Sequence, residues 1–416
     1  MQRHFEQGIL DGVRVLEVGG EIGAWCGKLM GDVGADVIKV EPPTGDPTRA
    51  YEPFYENEPG PDRSLFFWHY NTSKRSVTLD LEQDGGREVF MRLAAQADVV
   101  VDSHPPGYMD SIGLGYEAIS KETPGLVMAS ITPFGQSGPY SDYASTDLTA
   151  LALGGPVWSC GYDDHSIPPV RGGGNQAYHI VCHFAIMGVL TALIHRQFTG
   201  IGQYIDANMH AAANVTTEGA SINWLVAEDT VQRQTGRHAS VVPTADGQAL
   251  CRDGRYVNVG IGARTEEQWI HLLSWLQEEG LIEDLGEFLD YPSREAMRRG
   301  DREAREQQRR VAEVMRELAR RTDADVLFKR AQALGFQWGI VNSPEDVLED
   351  PHFQARGFPV EVEHPDLGKS FVYAGAPYQF PESPWAISRR PPLLGEHNRE
   401  VYVDELGMST EELQNF

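Results

Sequence analysis

The feature that most constrains this chain lies in its first forty residues. Residues 13–18 (Val-Arg-Val-Leu-Glu-Val) form a short, β-branched, apolar run that reads as a buried strand. Gly19 and Gly20 interrupt it, and a helical stretch runs from about Ile22 to Val33. Gly34 closes that helix, and Val37-Ile38-Lys39-Val40 is a second strand. Two strands joined through a helix are parallel, so this is a βαβ unit, and it commits the chain to an α/β layout. The turn Gly19-Gly20-Glu21-Ile22-Gly23 lacks the glycine spacing of a dinucleotide fingerprint, so it does not specify NAD. The general rule still applies: ligands approach the C-terminal ends of such strands, where helix N-termini point their amides.

The rhythm continues. The pattern predicts strands over 77–81, 98–101, 126–131 and 204–209, a helix over 84–96, and a long apolar helix from Gln176 to Gln197 ended by Gly200 and Gly202. Residues 292–321 are densely charged, with opposite charges at helical spacing, and predict a solvated helix face. A chain of 416 residues exceeds one ordinary core. The change in character near residue 226 predicts a large domain from residues 1–225 and 336–416, with a smaller α/β domain over 226–335 between them.

The formal net charge of −26 repels polyanions, which argues against nucleic acid and anionic membrane as partners. No apolar run suggests a membrane span. The four scattered cysteines fit a reducing cytoplasm, and none has metal-ligand spacing, so no metal is expected. Read alone, Asp147 is either a catalytic carboxylate or a helix N-cap. His179 is either a base or a satisfied core residue. Arg171-Gly172-Gly173-Gly174 is either an anion-receiving turn or a loop that needs positive φ angles. Trp25, Trp158 and Trp224 either line an aromatic pocket or fill cores.

The order of segments is more specific than any of them. It begins with L-D-G-V-R-V-L-E-V (10–18) and G-D-V-G-A-D-V-I-K-V-E-P-P-T-G-D-P-T-R (31–49), followed by N-T-S-K-R-S-V-T-L-D-L (71–81) and I-T-P-F-G-Q-S-G-P-Y-S-D (131–142). It continues with T-G-I-G-Q-Y-I-D-A-N-M (199–209), V-N-S-P-E-D-V-L-E-D-P-H-F (341–353), A-R-G-F-P-V-E-V-E-H-P-D-L-G (355–368) and P-L-L-G-E-H-N (392–398). Together these blocks resemble the family III CoA-transferases, which include formyl-CoA, carnitine and bile-acid CoA-transferases and the α-methylacyl-CoA racemases. The resemblance implies a Rossmann-like large domain built from both chain ends, a small domain between, and two chains interlocked as a dimer with CoA held between domains. It implies a ping-pong reaction on acyl-CoA and carboxylic acids, in which an aspartate attacks the donor thioester and then carries CoA as its own thioester.

Carried over residue by residue, the resemblance also exposes a gap. The family's nucleophile precedes the helix that ends in Thr199-Gly200-Ile201-Gly202-Gln203, and here that place falls on Ala177 or Tyr178, neither a carboxylate. The racemase turn reads Ser145-Thr146-Asp147, so its histidine is Thr146 while Asp147 persists as the remaining catalytic candidate. At the CoA contacts, an arginine position is Pro42, an Asn-Phe pair is Ser103-His104, and a glutamine in the first loop is Glu21, beside Ile22. Leu79 and Met209 match positions along the nucleotide and pantetheine path, and Lys74 and Arg75 are expected near the large-domain cleft. Asp163 and Asp164 are an alternative nucleophile pair at an exposed tip.

Four functions follow. The chain is a CoA-transferase subunit lacking the aspartate, of the benzylsuccinate type and paired with a catalytic paralogue. It is a homodimer doing lyase, hydratase or isomerase chemistry on an acyl-CoA, with Asp147 foremost, or His179 or Glu21, as acid/base. It uses Asp163 or Asp164 as nucleophile. Or it binds acyl-CoA as a regulator.

Overall fold

β1 (Arg14–Val18) decides how the main sheet is covered, because strand side chains alternate between faces. Leu16 and Val18 point one way and Glu17 the other. The structure, a computed structural model, describes residues 8–217, 219–260, 262–293, 295–296 and 301–413. β1 lies inside a six-stranded sheet with β2 (Asp36–Glu41), β3 (Lys74–Thr78), β4 (Val99–Asp102), β5 (Val127–Thr132) and β6 (Tyr204–Asn208). The order is β3-β2-β1-β4-β5-β6 and every pairing is parallel. Helices α1 (Glu21–Gly31), α2 (Leu65–Tyr70), α3 (Asp84–Ala94), α4 (Tyr108–Ser111), α5 (Tyr116–Glu122), α6 (Asp147–Gly154), α7 (Gln176–Thr199) and α8 (Met209–Val215) complete this part of the fold.

One face of the sheet is apolar. Leu16, Val18, Ile38, Val40, Val77, Val100 and Met128 share a core with Val89, Phe90 and Leu93 of α3, Ile119 of α5, and Val401 and Tyr402 near the C-terminus. The face toward α1 sets an ionic cluster among valines such as Val37 and Val101. Glu17 Oε1 accepts from Lys39 and Lys74 at 3.0 Å each, and Glu17 Oε2 lies 2.8 Å from the Lys74 ammonium. Lys39 also meets Asp46 at 2.7 Å. Arg49 spans both oxygens of Glu41, and the Ser76 hydroxyl donates to the same carboxylate. All of these side chains are buried. α1 crosses this face with Gly27 above Glu17, where a Cβ would lie 1.7 Å from Glu17 Oε2.

The network explains one difference from the sequence reading. The third strand is Lys74–Thr78, three residues earlier than the apolar window at 77–81. Val37 pairs with Lys74 and Lys39 with Ser76, so charged and hydroxyl side chains enter the sheet where their partners wait. A second difference concerns membrane spans. α7, 24 residues long, is apolar and long enough to cross a bilayer. Ala177, Val181, Cys182, Ala185, Val189 and Ala192 form its buried face, while Phe184, Met187, Ile194 and Phe198 are exposed.

The chain divides into two compact units, and the division is not at 226 and 335. The first holds residues through Gly155, then Gly172–Thr216, and those from Pro351 on. The second holds Pro156–Arg171 and Thr217–Asp350. Hydrogen bonding accounts for the extra segments. Trp158 Nε1 donates to Val231 O, and Asp163 takes Arg237, so 156–171 is tied to the hairpin β7 (Gln232–Gln234) and β8 (Arg237–Ser240). β11 (Gly339–Ile340) pairs with β10 (Tyr256–Asn258), beside β9 (Gln248–Leu250). Trp269, Trp275, Leu318, Leu327 and Trp338 lie in the core of this unit. Of the charged stretch 292–321, the helix Arg302–Arg321 is capped by Asp301 and carries Arg309–Glu306 and Arg321–Glu317 pairs at its surface, while residues 294 and 297–300 lie outside the described residues.

Glu17→Gln strands two buried ammonium groups with weakened partners. It should lower unfolding stability by about 3 kcal/mol, read by urea titration, while Glu306→Gln on the exposed helix face leaves the midpoint unmoved.

Candidate functional site

The strand order reverses between β1 and β4. In open parallel sheets the crevice outside the carboxyl ends at such a point is the ligand site. α1 follows β1 and starts with Glu21 and Ile22, and the loop after β4 carries Ser103 and His104, so four of the residues singled out from sequence lie at this end of the two strands. Gly19, at φ +94°, brings the loops together, and a Cβ on it would lie 2.5 Å from Ser103 Oγ. Ser103 donates to Gly20 O at 3.2 Å. His104 is held by Asp102, through Nδ1 at 2.8 Å and its backbone N–H at 3.0 Å, and its ring stacks on Tyr108.

α1 starts at this crevice with Glu21 as its first residue, and Gly20 brings no side-chain cap. α7 packs beside it. Tyr178 Oη donates to Glu21 Oε1 at 3.0 Å, and the Tyr51 phenol faces the same carboxylate. Burial raises the Glu21 carboxyl above its ordinary value, the Tyr178 hydrogen bond opposes the rise, and the charges of Asp46 and Asp147 add to it. One turn on, Trp25 stacks on His179 with ring centroids 4.4 Å apart and on His69 at 5.7 Å. His179 Nε2 meets Tyr70 Oη at 2.9 Å, and Asn175 donates to the same hydroxyl. Burial lowers the pKa of both histidines, that of His69 to about 4, with Lys28 and His179 adding to the fall there. Both rings are therefore neutral at pH 7. The Trp25 indole N–H is buried without an acceptor.

Asp147 is neither the cap of its own helix nor open to solvent. Thr146 is the N-cap of α6, with Thr149 completing a capping box, and Asp147 follows it at 4% exposure. Its Oδ1 accepts the Ala177 N–H at 2.7 Å, so the carboxylate caps the start of α7 across space.

Other expectations separate from the crevice. Lys74 has no exposed surface, and its ammonium is taken by Glu17, Ala24 O and Asn71. Burial lowers its pKa to about 8 against the pull of Glu17. Arg75 is bound to Asp36, Glu400 and Glu405. Both cations are taken by carboxylates inside the fold, where the sequence reading expected them near the large-domain cleft; strand register turns them inward. Leu79 (1%) and Met209 (0%) are core side chains. Asp163 and Asp164 are exposed, held by Arg237 and Ser166. Tyr51, His69 and Tyr70 escaped the sequence reading, because only the fold brings them to α1. Trp25 had one usable signal, its place four residues after Glu21 on the same helical face. Among the described residues no group of His, Cys, Asp or Glu could hold a metal.

A parallel α/β sheet of this order takes ligands at its switch point, and here a carboxylate stands at the helix start beside it. A model of CoA-transferase family III matches residues 10–398, and the chain belongs to that family. It is 35% identical over 406 residues to subunit BbsE of succinyl-CoA:(R)-benzylsuccinate CoA-transferase from Thauera aromatica, covering 97% of this chain and 95% of that protein. It is 30% identical over 411 residues to the succinyl-CoA–L-malate CoA-transferase beta subunit of Chloroflexus aurantiacus, covering 98% and 96%. The crystal structure of a CaiB/BaiF family protein from Brucella suis superposes with a TM-score of 0.79 at 28% identity, covering 96% of this chain and all of that one. The chain is thus a CoA-transferase or a subunit of one.

Removing the acceptor from the first turn of α7 has a cap-sized cost. Asp147→Ala should lower unfolding stability by at least about 1 kcal/mol, and Asp147→Asn, which keeps an acceptor, should recover part of it in the same thermal melts.

Proposed function

We propose that this chain is the subunit lacking the nucleophilic aspartate in a two-subunit CoA-transferase. The enzyme moves CoA from an acyl-CoA to a second organic acid in the cytoplasm. The observation that carries this is the start of α7. The family's aspartate falls at Ala177 or Tyr178, where the Ala177 N–H donates to Asp147 and the Tyr178 hydroxyl donates to Glu21. Two relatives matched over nearly their whole length are themselves named as subunits.

In this reading the two subunits interlock, and a paralogue supplies an aspartate at its own α7. CoA lies along the crevice, touching the loops of Glu21, Ile22, Ser103 and His104. The α1 amides and the Ser103 and His104 groups replace the cations that Lys74 and Arg75 do not provide. Asp147 is a positioning residue that fixes the first turn of α7, and Leu79 and Met209 back the ligand path from the core. A net charge of −26 makes a local amide cradle more valuable, since the long-range field opposes an anionic thioester.

Co-expression with a family III paralogue that carries the aspartate tests it. The two chains should co-purify in equal amounts, and CoA transfer from succinyl-CoA to an organic acid should need both. A chain that only self-associates and turns over fully alone would remove the heteromeric reading.

A further inference from the structure

Within that assembly this chain's own site retains a carboxylate. We propose that Glu21 is the nucleophile of this subunit's site, the attacking carboxylate having moved from the start of α7 to the start of α1. The inference rests on the CoA-transferase reading and goes beyond it, since a subunit without the aspartate need not be inert.

The geometry points there for four reasons. Tyr178, which shares the family's aspartate position with Ala177, is one hydrogen bond from Glu21 Oε1, at 3.0 Å. The lost and the present carboxylate therefore address the same space from neighbouring helices. Glu21 stands at the strand-order reversal, the place where open parallel sheets take their ligands. It is half-buried, whereas Asp147, the other carboxylate near the start of α7, is 4% exposed and caps Ala177. Finally, its partners are phenols, not cations. Tyr178 orients the carboxylate without neutralising it, and nearby cations of the large unit, Lys28, Lys39, Lys74 and Arg49, are committed to Asp32, Glu17, Asp46 and Glu41. A carboxylate raised by burial and free of a counter-ion is a stronger nucleophile than one in a salt bridge.

The chemistry balances with no further reagent. Glu21 Oε bonds the acyl carbonyl carbon of the donor thioester, the C–S bond breaks, and CoA leaves as thiolate, giving an acyl–glutamyl anhydride. The thiolate then bonds the Glu21 carbonyl carbon, the anhydride C–O bond breaks, and the donor acid leaves as carboxylate. The acceptor carboxylate reverses the two steps and carries CoA away, restoring Glu21. Tyr178 Oη and the uncapped α1 amides are the donors placed to receive the oxyanions.

The test uses the assembled heteromer with the partner's aspartate replaced by alanine, so that only this chain's site can react. After succinyl-CoA is added, hydroxylamine should leave a hydroxamate on the Glu21 peptide, and residual CoA transfer should persist. Glu21→Gln should abolish the hydroxamate and lower that transfer roughly a thousandfold or more. Tyr178→Phe keeps the carboxylate and guards against a folding artefact. The groups facing Glu21 are Tyr178 on α7, Asp147 on α6, and Asp46 and Tyr51 after β2. Of these Tyr178 holds the carboxyl down, so its loss should move the acid limb of kcat/KM to higher pH. No hydroxamate on Glu21, with trapping confined to the partner's aspartate in the unmodified heteromer, overturns the inference and leaves the proposed function standing. No trapping and no transfer in the unmodified heteromer removes both.

Discussion

The buried charge network beneath α1 is the constraint on which the rest of the large unit depends. Glu17 holds Lys39 and Lys74 together, Asp46 takes the other side of Lys39, and Arg49 with Ser76 closes on Glu41. Burying an ammonium is costly unless it is fully paired. Three parallel strands must therefore hold the register that brings these groups together. The same network sets the height at which α1 crosses the sheet, because only a glycine at 27 fits over the Glu17 carboxylate. Since α1 begins at Glu21, the ionic face indirectly aims the site.

The site is then a meeting of two helix starts over a strand-order reversal. α1 presents Glu21 and, one turn later, Trp25. α7 presents Tyr178 and His179 to the same two residues. Asp147 fixes the first turn of α7 from a third element. Rings surround Trp25 at this junction, while Asp102 carries His104 after β4.

Much of this was legible beforehand, and the parts that were not share a cause. The β1–α1–β2 unit, the helix at α7 with Gly200 as its stop, and the loops of Glu21 and Ser103 follow from periodicity and glycine punctuation, which are local. β3 was displaced because apolar pattern cannot see that a lysine and an arginine are paired inside a sheet. Asp147 looked like a cap for its own helix and instead caps another 30 residues away. The second unit takes in 156–171 because Trp158 and Asp163 bind a hairpin far along the chain.

By itself the sequence determined the parallel α/β architecture, the family through ordered blocks across the chain, and the absence of a carboxylate at Ala177 and Tyr178. These depend on residue identity and near-neighbour pattern alone. Only the tertiary structure decided that Lys74 and Arg75 are structural, that Asp147 serves α7, and that Tyr178 reaches Glu21. Each of those outcomes is a pairing between segments distant in sequence, settled by strand register and helix packing.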